Sequence, residues 1–116
     1  MQKIYHLSSC STCSRIINEL ELKNKNFDFQ DIKNEKITEA QLLEMKKMAG
    51  SYEALFSRVA LKYRALGLDK KQLTENDYKN YILQEYTFLK RPVIITGSKI
   101  FVGNSKNTVV AAKAEL

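Results

Sequence analysis

The sequence predicts an α/β fold: a four-stranded mixed sheet made of a βαβ unit and a ββα unit, with a helical insert between strands 2 and 3. Three observations carry this expectation. Residues 3–32 read as strand, helix, strand within the roughly 30 residues of one βαβ unit. Near the C-terminus, two apolar runs flank Gly97-Ser98 and are followed by a helix start. Between these halves lies a stretch with helix starts and stops and no second strand pair.

Each element has a local reason. Lys3-Ile4-Tyr5-His6-Leu7 is rich in β-branched and aromatic residues and reads as the first strand. Ser8-Ser9-Cys10-Ser11-Thr12 punctuates it, and the hydroxyls of Ser11 or Thr12 are expected to cap the helix that follows. Ile16, Ile17, Leu20 and Leu22 give that helix an apolar face, and Asn24-Lys25-Asn26 ends it. The alternation from Phe27 to Ile32 reads as a second strand, parallel to the first. In the insert, Thr38 with Gln41 forms a capping box for a helix over Glu39 to Ala49, and Gly50 stops it. A second helical stretch is expected through Ala54, Leu55, Val59, Leu61 and Tyr63 to Leu66, with Gly67 as its stop. Thr74-Glu75-Asn76-Asp77 starts a third, with Tyr78, Ile82 and Leu83 inward. Pro92–Thr96 is the third strand, because a proline at a strand start removes no central ladder bond. Gly97-Ser98 suits a type II′ hairpin turn into Lys99–Gly103. Asn104 or Ser105 then caps a last helix through Val109, Val110 and Ala112. This order of elements makes a thioredoxin-like domain, its core over about 1–33 and 88–116 and its insert over about 37–87.

Composition narrows the class. A chain of 116 residues is one ordinary domain, and 44% hydrophobic with 28% charged residues excludes disorder. No apolar run reaches the roughly 18 residues of a membrane span, and MQKIYHLSSC lacks a secretory h-region, so a cytoplasmic location is expected. The net charge of +6 permits an anionic ligand or acidic partner. The excess is uneven: residues 58 to 71 carry Arg58, Lys62, Arg64, Lys70 and Lys71 against Asp69 alone. A solvated helix face accounts for such a stretch as readily as a partner does. No DNA-reading motif accompanies the charge, so direct DNA binding is not expected.

Cys10-Ser11-Thr12-Cys13 concentrates the chemistry. Cys10 falls where a strand ends and a helix begins, so free amide N–H groups and the helix dipole favour its thiolate. Cys13 lies three residues on, within reach of a bond formed on Cys10. In a βαβ context the spacing is a redox signature. Three other readings compete. A structural disulfide would close a very short loop and gain little. A zinc half-site could recruit His6, but the chain has no fourth cysteine or histidine. Two unreactive buried cysteines would serve only as small hydrophobes. His6 itself reads as a strand residue near the cysteines. Arg91-Pro92 is the second candidate: the loop before the third strand faces the cysteine motif in such a fold, the peptide can be cis, and Arg91 can clamp an oxyanion with two parallel N–H bonds.

CSTCSR near the N-terminus and LKRPVIITGSKIFVGNS near the C-terminus resemble the glutaredoxin-type arsenate reductase/Spx family along nearly the whole chain. The resemblance implies that Cys10 is the nucleophile. It also implies anion or substrate binding around Ser11, Thr12, Arg15, Arg58, Arg91 and Pro92, no bound cofactor or metal, and glutathione/glutaredoxin or thioredoxin as electron donor. The family's arsenate reductases hold their oxyanion with three arginines. Arg91 matches one. Arg58 is one residue out of step with the spacing to Tyr63, about 100° of rotation if the segment is helical. Val102-Gly103-Asn104 stands where the third is expected, and Ser14 takes the place directly after the cysteine motif, with Arg15 next. These departures lean toward the Spx-like and uncharacterised reductase-like branch. Two functions are therefore expected as alternatives. One is a cysteine-dependent thiol oxidoreductase acting on arsenate or a disulfide. The other is an Spx-like regulator that binds the RNA polymerase α subunit through a Cys10–Cys13 disulfide switch.

Overall fold

The computed structural model describes residues 1–116. The chain divides into two compact units, residues 1–36 with 91–116, and residues 37–90. The first unit holds the sheet. Its strands are β1 (Gln2–His6), β2 (Asp28–Asp31), β3 (Val93–Thr96) and β4 (Lys99–Val102), in the order β2-β1-β3-β4. β1 pairs parallel with β2 and antiparallel with β3, and β3 pairs antiparallel with β4. This is the mixed sheet of a thioredoxin-like fold. The parallel pair requires a crossover, and α1 (Ser11–Glu19) supplies it. Gly97, at φ 60°, takes the left-handed first position of the β3–β4 turn, and Ser98 keeps a negative φ, as a type II′ turn demands.

Register sets the core. Ile4 faces Ile94 across the β1–β3 ladder, and both are buried with Ile16, Ile17, Leu20, Leu22 and Phe27. Val109 and Ala112 of α5 (Lys106–Ala114) complete the same cluster. Each large side chain in it is worth about 2–5 kcal/mol against truncation to alanine. The opposite face of β1 presents Lys3 and Tyr5, both buried, with the Lys3 ammonium 2.8 Å from Asp28 and stacked over the Tyr5 ring. The expected helix face is longer than the helix: α1 stops at Glu19, and Leu22 is buried from a short 3-10 turn, Leu22–Asn24. In α5, Val109 and Ala112 seat the helix and Val110 is exposed.

The second unit contains α2 (Glu39–Ala49), α3 (Leu61–Ala65) and α4 (Glu75–Gln84). The capping box expected of Thr38 with Gln41 starts α2, and the helix start expected at Thr74–Asp77 starts α4, where Thr74 and Asp77 form a second capping box. The continuous helix expected from Ala54 to Leu66 is not. Glu53–Leu55 forms one 3-10 turn, Phe56 is extended and bridges Leu89, and α3 begins only at Leu61. Phe56 stacks on Phe88 at 5.1 Å and packs against Tyr78 at 4.9 Å and Tyr63 at 5.9 Å. That aromatic cluster, with backbone bonds Ser57 N–H to Phe88 O and Lys90 N–H to Leu55 O, outweighs the helical periodicity. No helix of the structure is long and apolar enough to cross a membrane.

Candidate functional site

The site begins at the end of β1. The chain turns after Leu7, whose carbonyl accepts the Cys10 N–H at 2.9 Å. Cys10 is then the N-cap residue of α1, extended at φ −90° and ψ 112°, and its carbonyl accepts the Ser14 N–H at 3.1 Å. The sequence led to an expectation of a hydroxyl cap from Ser11 or Thr12. Instead both residues lie inside the helix and the cap position belongs to the thiol. A neutral thiol closes no capping hydrogen bond here, so the helix start keeps donors in reserve for an anion. The first turn of α1 contains no acidic residue to compete for them.

The two sulfurs are tuned in opposite directions. Burial would push the Cys10 thiol up, but the Cys13 N–H and thiol, the Thr12 N–H and the positive Arg91 together bring it below the ordinary thiol value. Cys13 is buried, and burial leads its rise to about 11. Its thiol also donates to the Cys10 sulfur and feels that sulfur's charge, which adds to the rise against the Leu7 backbone and Arg91. Both cysteines are free thiols. The geometry therefore pairs a half-buried thiol that ionises more readily than usual with a buried one that ionises less readily.

Arg91 and Pro92 enter this site from the loop before β3. The Arg91–Pro92 peptide is cis, the Arg91 Nε is buried, and the Arg91 charge acts on both cysteines. The Pro92 carbonyl accepts the N–H of Gly103 at 2.9 Å. Gly103 sits at φ 91°, a conformation that side chains rarely adopt. The backbone just after β4 is thus glycine's, where an arginine was looked for.

The remaining sequence candidates are placed differently. Ser11 and Arg15 are exposed on α1, and Thr12 is half-buried beside Cys10. His6 stands opposite Asp31 in the β1–β2 register and edge-on to Phe29 at 5.7 Å. Burial lowers its basicity and Asp31 opposes that. Arg58 belongs to the second unit. It lies in a turn, not on the helix assumed from its spacing, so the 100° rotation argument does not apply to it. Its guanidinium pairs with Glu53 at 2.7 Å, bonds the Tyr78 hydroxyl at 3.0 Å and lies over the Tyr78 ring. The sequence reading missed a cleft of about 210 Å³ lined by His6, Ser8, Ser14, Ile17, Asn18, Lys23 and Phe29. The one-turn spacing of Ser14 and Asn18 on α1 was the only signal for it.

A thioredoxin-like sheet with a thiol pair at the β1–α1 junction and a cis-proline loop beside it defines the class of fold. The model of the ArsC family matches residues 5–112, and the chain belongs to that family. Solved structures agree on the fold. An arsenate reductase from Vibrio cholerae is 17% identical with a TM-score of 0.78, covering 95% of this chain and 97% of its own. A protein described as a possible arsenate reductase from Streptococcus mutans is 28% identical with a TM-score of 0.72, covering 91% of this chain and 92% of its own. An arsenate reductase (ArsC) related protein from Brucella melitensis is 24% identical with a TM-score of 0.73, covering 95% and 92%. No curated protein matches the chain. Family and fold are consistent with a thiol oxidoreductase or arsenate reductase-like function, in a family that also includes non-enzymatic Spx regulators.

Proposed function

We propose that the protein is a thiol oxidoreductase in which Cys10 is the nucleophile and Cys13 the resolving thiol. The observation that carries this reading is the opposed tuning of the pair: Cys10 below the ordinary thiol value, Cys13 at about 11. The Cys10 thiolate attacks a substrate disulfide, one Cys10–substrate bond forms, and the first substrate sulfur leaves as thiolate and takes a proton. Mixed-disulfide formation removes the charge on Cys10. Two of the three causes that raise Cys13 vanish with it, so Cys13 becomes easier to ionise only after the first step. Its thiolate then attacks the Cys10 sulfur and releases the second substrate thiol. A dithiol donor, glutaredoxin or thioredoxin, or glutathione with glutaredoxin, returns the Cys10–Cys13 disulfide to two thiols. Ser11, Thr12, Arg15, Arg91 and Pro92 are proposed to border the bound substrate, with Arg91 facing negative charge.

The test is a reduction assay on a small disulfide and, in parallel, on arsenate with glutathione and glutaredoxin. Wild type should reduce the disulfide, Cys10→Ser should not, and Cys13→Ser should accumulate a mixed disulfide visible by mass. Loss of neither activity in Cys10→Ser would overturn the assignment. Inactivity toward both substrates, with redox-dependent binding to the RNA polymerase α subunit, would assign the Spx-like regulatory role instead.

A further inference from the structure

The β1–α1 loop that carries Cys10 is short and exposed. β1 ends at His6, Leu7 is buried, and Ser8 and Ser9 are exposed in the turn before Cys10. Two backbone bonds fix its ends: Ile32 N–H donates to the His6 carbonyl at 2.9 Å, and Cys10 N–H donates to the Leu7 carbonyl at 2.9 Å. A turn of two exposed serines between them has conformational freedom to lose. The Cys10 sulfur meets the N–H groups of Thr12 and Cys13 at the helix start, and that meeting depends on where the turn leaves Cys10.

Asp31 stands beside that turn. It ends β2, opposite His6 in the parallel register. Its carboxylate accepts hydrogen bonds from the Ser8 hydroxyl and the Ser8 N–H, and on its own side from the Lys33 N–H at 3.2 Å and the Asn34 amide at 3.0 Å. The Ser8 hydroxyl leads the causes that hold this carboxyl below its ordinary value. The turn after β2 is closed without Ser8. There the Asp31 carbonyl accepts the N–H groups of Asn34 at 3.1 Å and Glu35 at 2.7 Å, and the Gln30 amide donates to the Glu35 carbonyl at 3.0 Å. The bonds to Ser8 therefore reach from a turn already held to the loop that bears the thiol. His6 faces the same carboxylate, which opposes the loss of basicity that burial gives the imidazole.

The structure assigns Asp31 as a positioning residue: by holding Ser8 it fixes the β1–α1 loop and keeps the Cys10 sulfur against the amide groups at the start of α1. This rests on the function proposed above, which makes Cys10 the nucleophile. The negative charge of Asp31, taken alone, would oppose a thiolate nearby. The hold on Ser8 and the charge therefore act on Cys10 with opposite signs, and the two roles can be told apart.

Ser8→Ala is the decisive variant. It removes the hydroxyl bond at an exposed position, where substitution leaves folding nearly unchanged, and it leaves Asp31 facing His6. Iodoacetamide alkylation of the reduced protein and thiolate absorbance, each followed against pH, read the state of Cys10. Below the wild-type midpoint, Cys10 should react roughly threefold more slowly in Ser8→Ala and roughly tenfold more slowly in Asp31→Ala, with the midpoint raised in both. The double variant should be no slower than Asp31→Ala, because both changes break one link. Asp31→Asn keeps an acceptor oxygen for Ser8 and should restore most of the rate. Asn34→Ala removes a partner on the turn side alone and should leave both readings at wild-type values. The proposal is overturned by an unmoved midpoint in Ser8→Ala, by a midpoint that falls in Asp31→Asn and Asp31→Ala alike, or by an Asn34→Ala effect equal to that of Asp31→Ala. Alkylation needs no disulfide substrate, so a protein inactive in the reduction assays would lose the proposed function while the part of Asp31 is still decided.

Discussion

Cys10 and Cys13 have the same side chain and differ only in what surrounds it. One ends up at a helix start with N–H groups and Arg91 toward it; the other is buried with its thiol pointed at the first. Iodoacetamide reacts with thiolate, so the rate at Cys10 should rise with pH through a midpoint below that of free cysteine, about 8.5. Cys13, buried and raised to about 11 while Cys10 is free, should be labelled only after Cys10 has reacted. Faster labelling of Cys13 would reverse the roles. Arg91 favours both thiolates, so Arg91→Ala should move the Cys10 midpoint upward, and Arg91→Lys should restore most of the difference. Thiolate absorbance near 240 nm reads that shift directly, and an unmoved midpoint would remove Arg91 from the site. The Cys10–Cys13 spacing and the Arg-Pro pair were legible in the sequence because a four-residue motif and a strand-start proline act locally. The partners of Arg58 were not, because Glu53 and Tyr78 reach it through a turn that the sequence disguised as helix.

At the scale of the element, α1 is a helix whose start is left open for charge. Its first turn lacks the acidic residue that α2 and α4 carry as Glu39, and as Glu75 and Asp77. Adding one should strengthen the helix and weaken the site. Ser11→Asp places a carboxylate at the helix start, where it stabilises by about 0.3–1 kcal/mol. The same carboxylate opposes a thiolate at Cys10 and should raise its midpoint. Thermal unfolding and the alkylation profile should therefore move apart: a higher Tm with a slower Cys10. A variant that gained both stability and reactivity would contradict the role given to the open N-terminus. Helices α2 and α4 could be read residue by residue because capping boxes are written within four positions. The stretch from Ala54 to Leu66 could not. Phe56 is extended there by a bridge to Leu89 and by rings drawn from Tyr63, Tyr78 and Phe88, contacts that span up to 33 positions and leave no local mark.

For the whole molecule, the question is which substrate this arrangement can turn over. Arsenate carries several negative charges through its transition state and needs fixed donors for them. Among the arginines that the family resemblance points to, only Arg91 acts on the cysteine pair. Arg58 is engaged by Glu53 and Tyr78, and Gly103 holds the backbone after β4 at φ 91°. Each missing charged hydrogen bond removes about 1.5–3 kcal/mol. Two such losses lower the rate by roughly 10²- to 10⁴-fold if the transition state feels both in full. Disulfide exchange makes no such demand, since it needs a thiolate, an accessible sulfur and a second thiol in reach. Arsenate turnover should thus be weak while disulfide exchange through Cys10 and Cys13 is retained. Glu53→Gln then serves as the internal control: it loosens the hold on Arg58, and any part that Arg58 takes in oxyanion binding should appear as a rise in arsenate turnover with the disulfide rate unchanged. Arsenate reduction by the wild-type protein at about 10 s⁻¹, the rate of an ordinary enzyme, and abolished by Cys10→Ser, would sink this prediction and make Arg15 or Arg58 the missing donor.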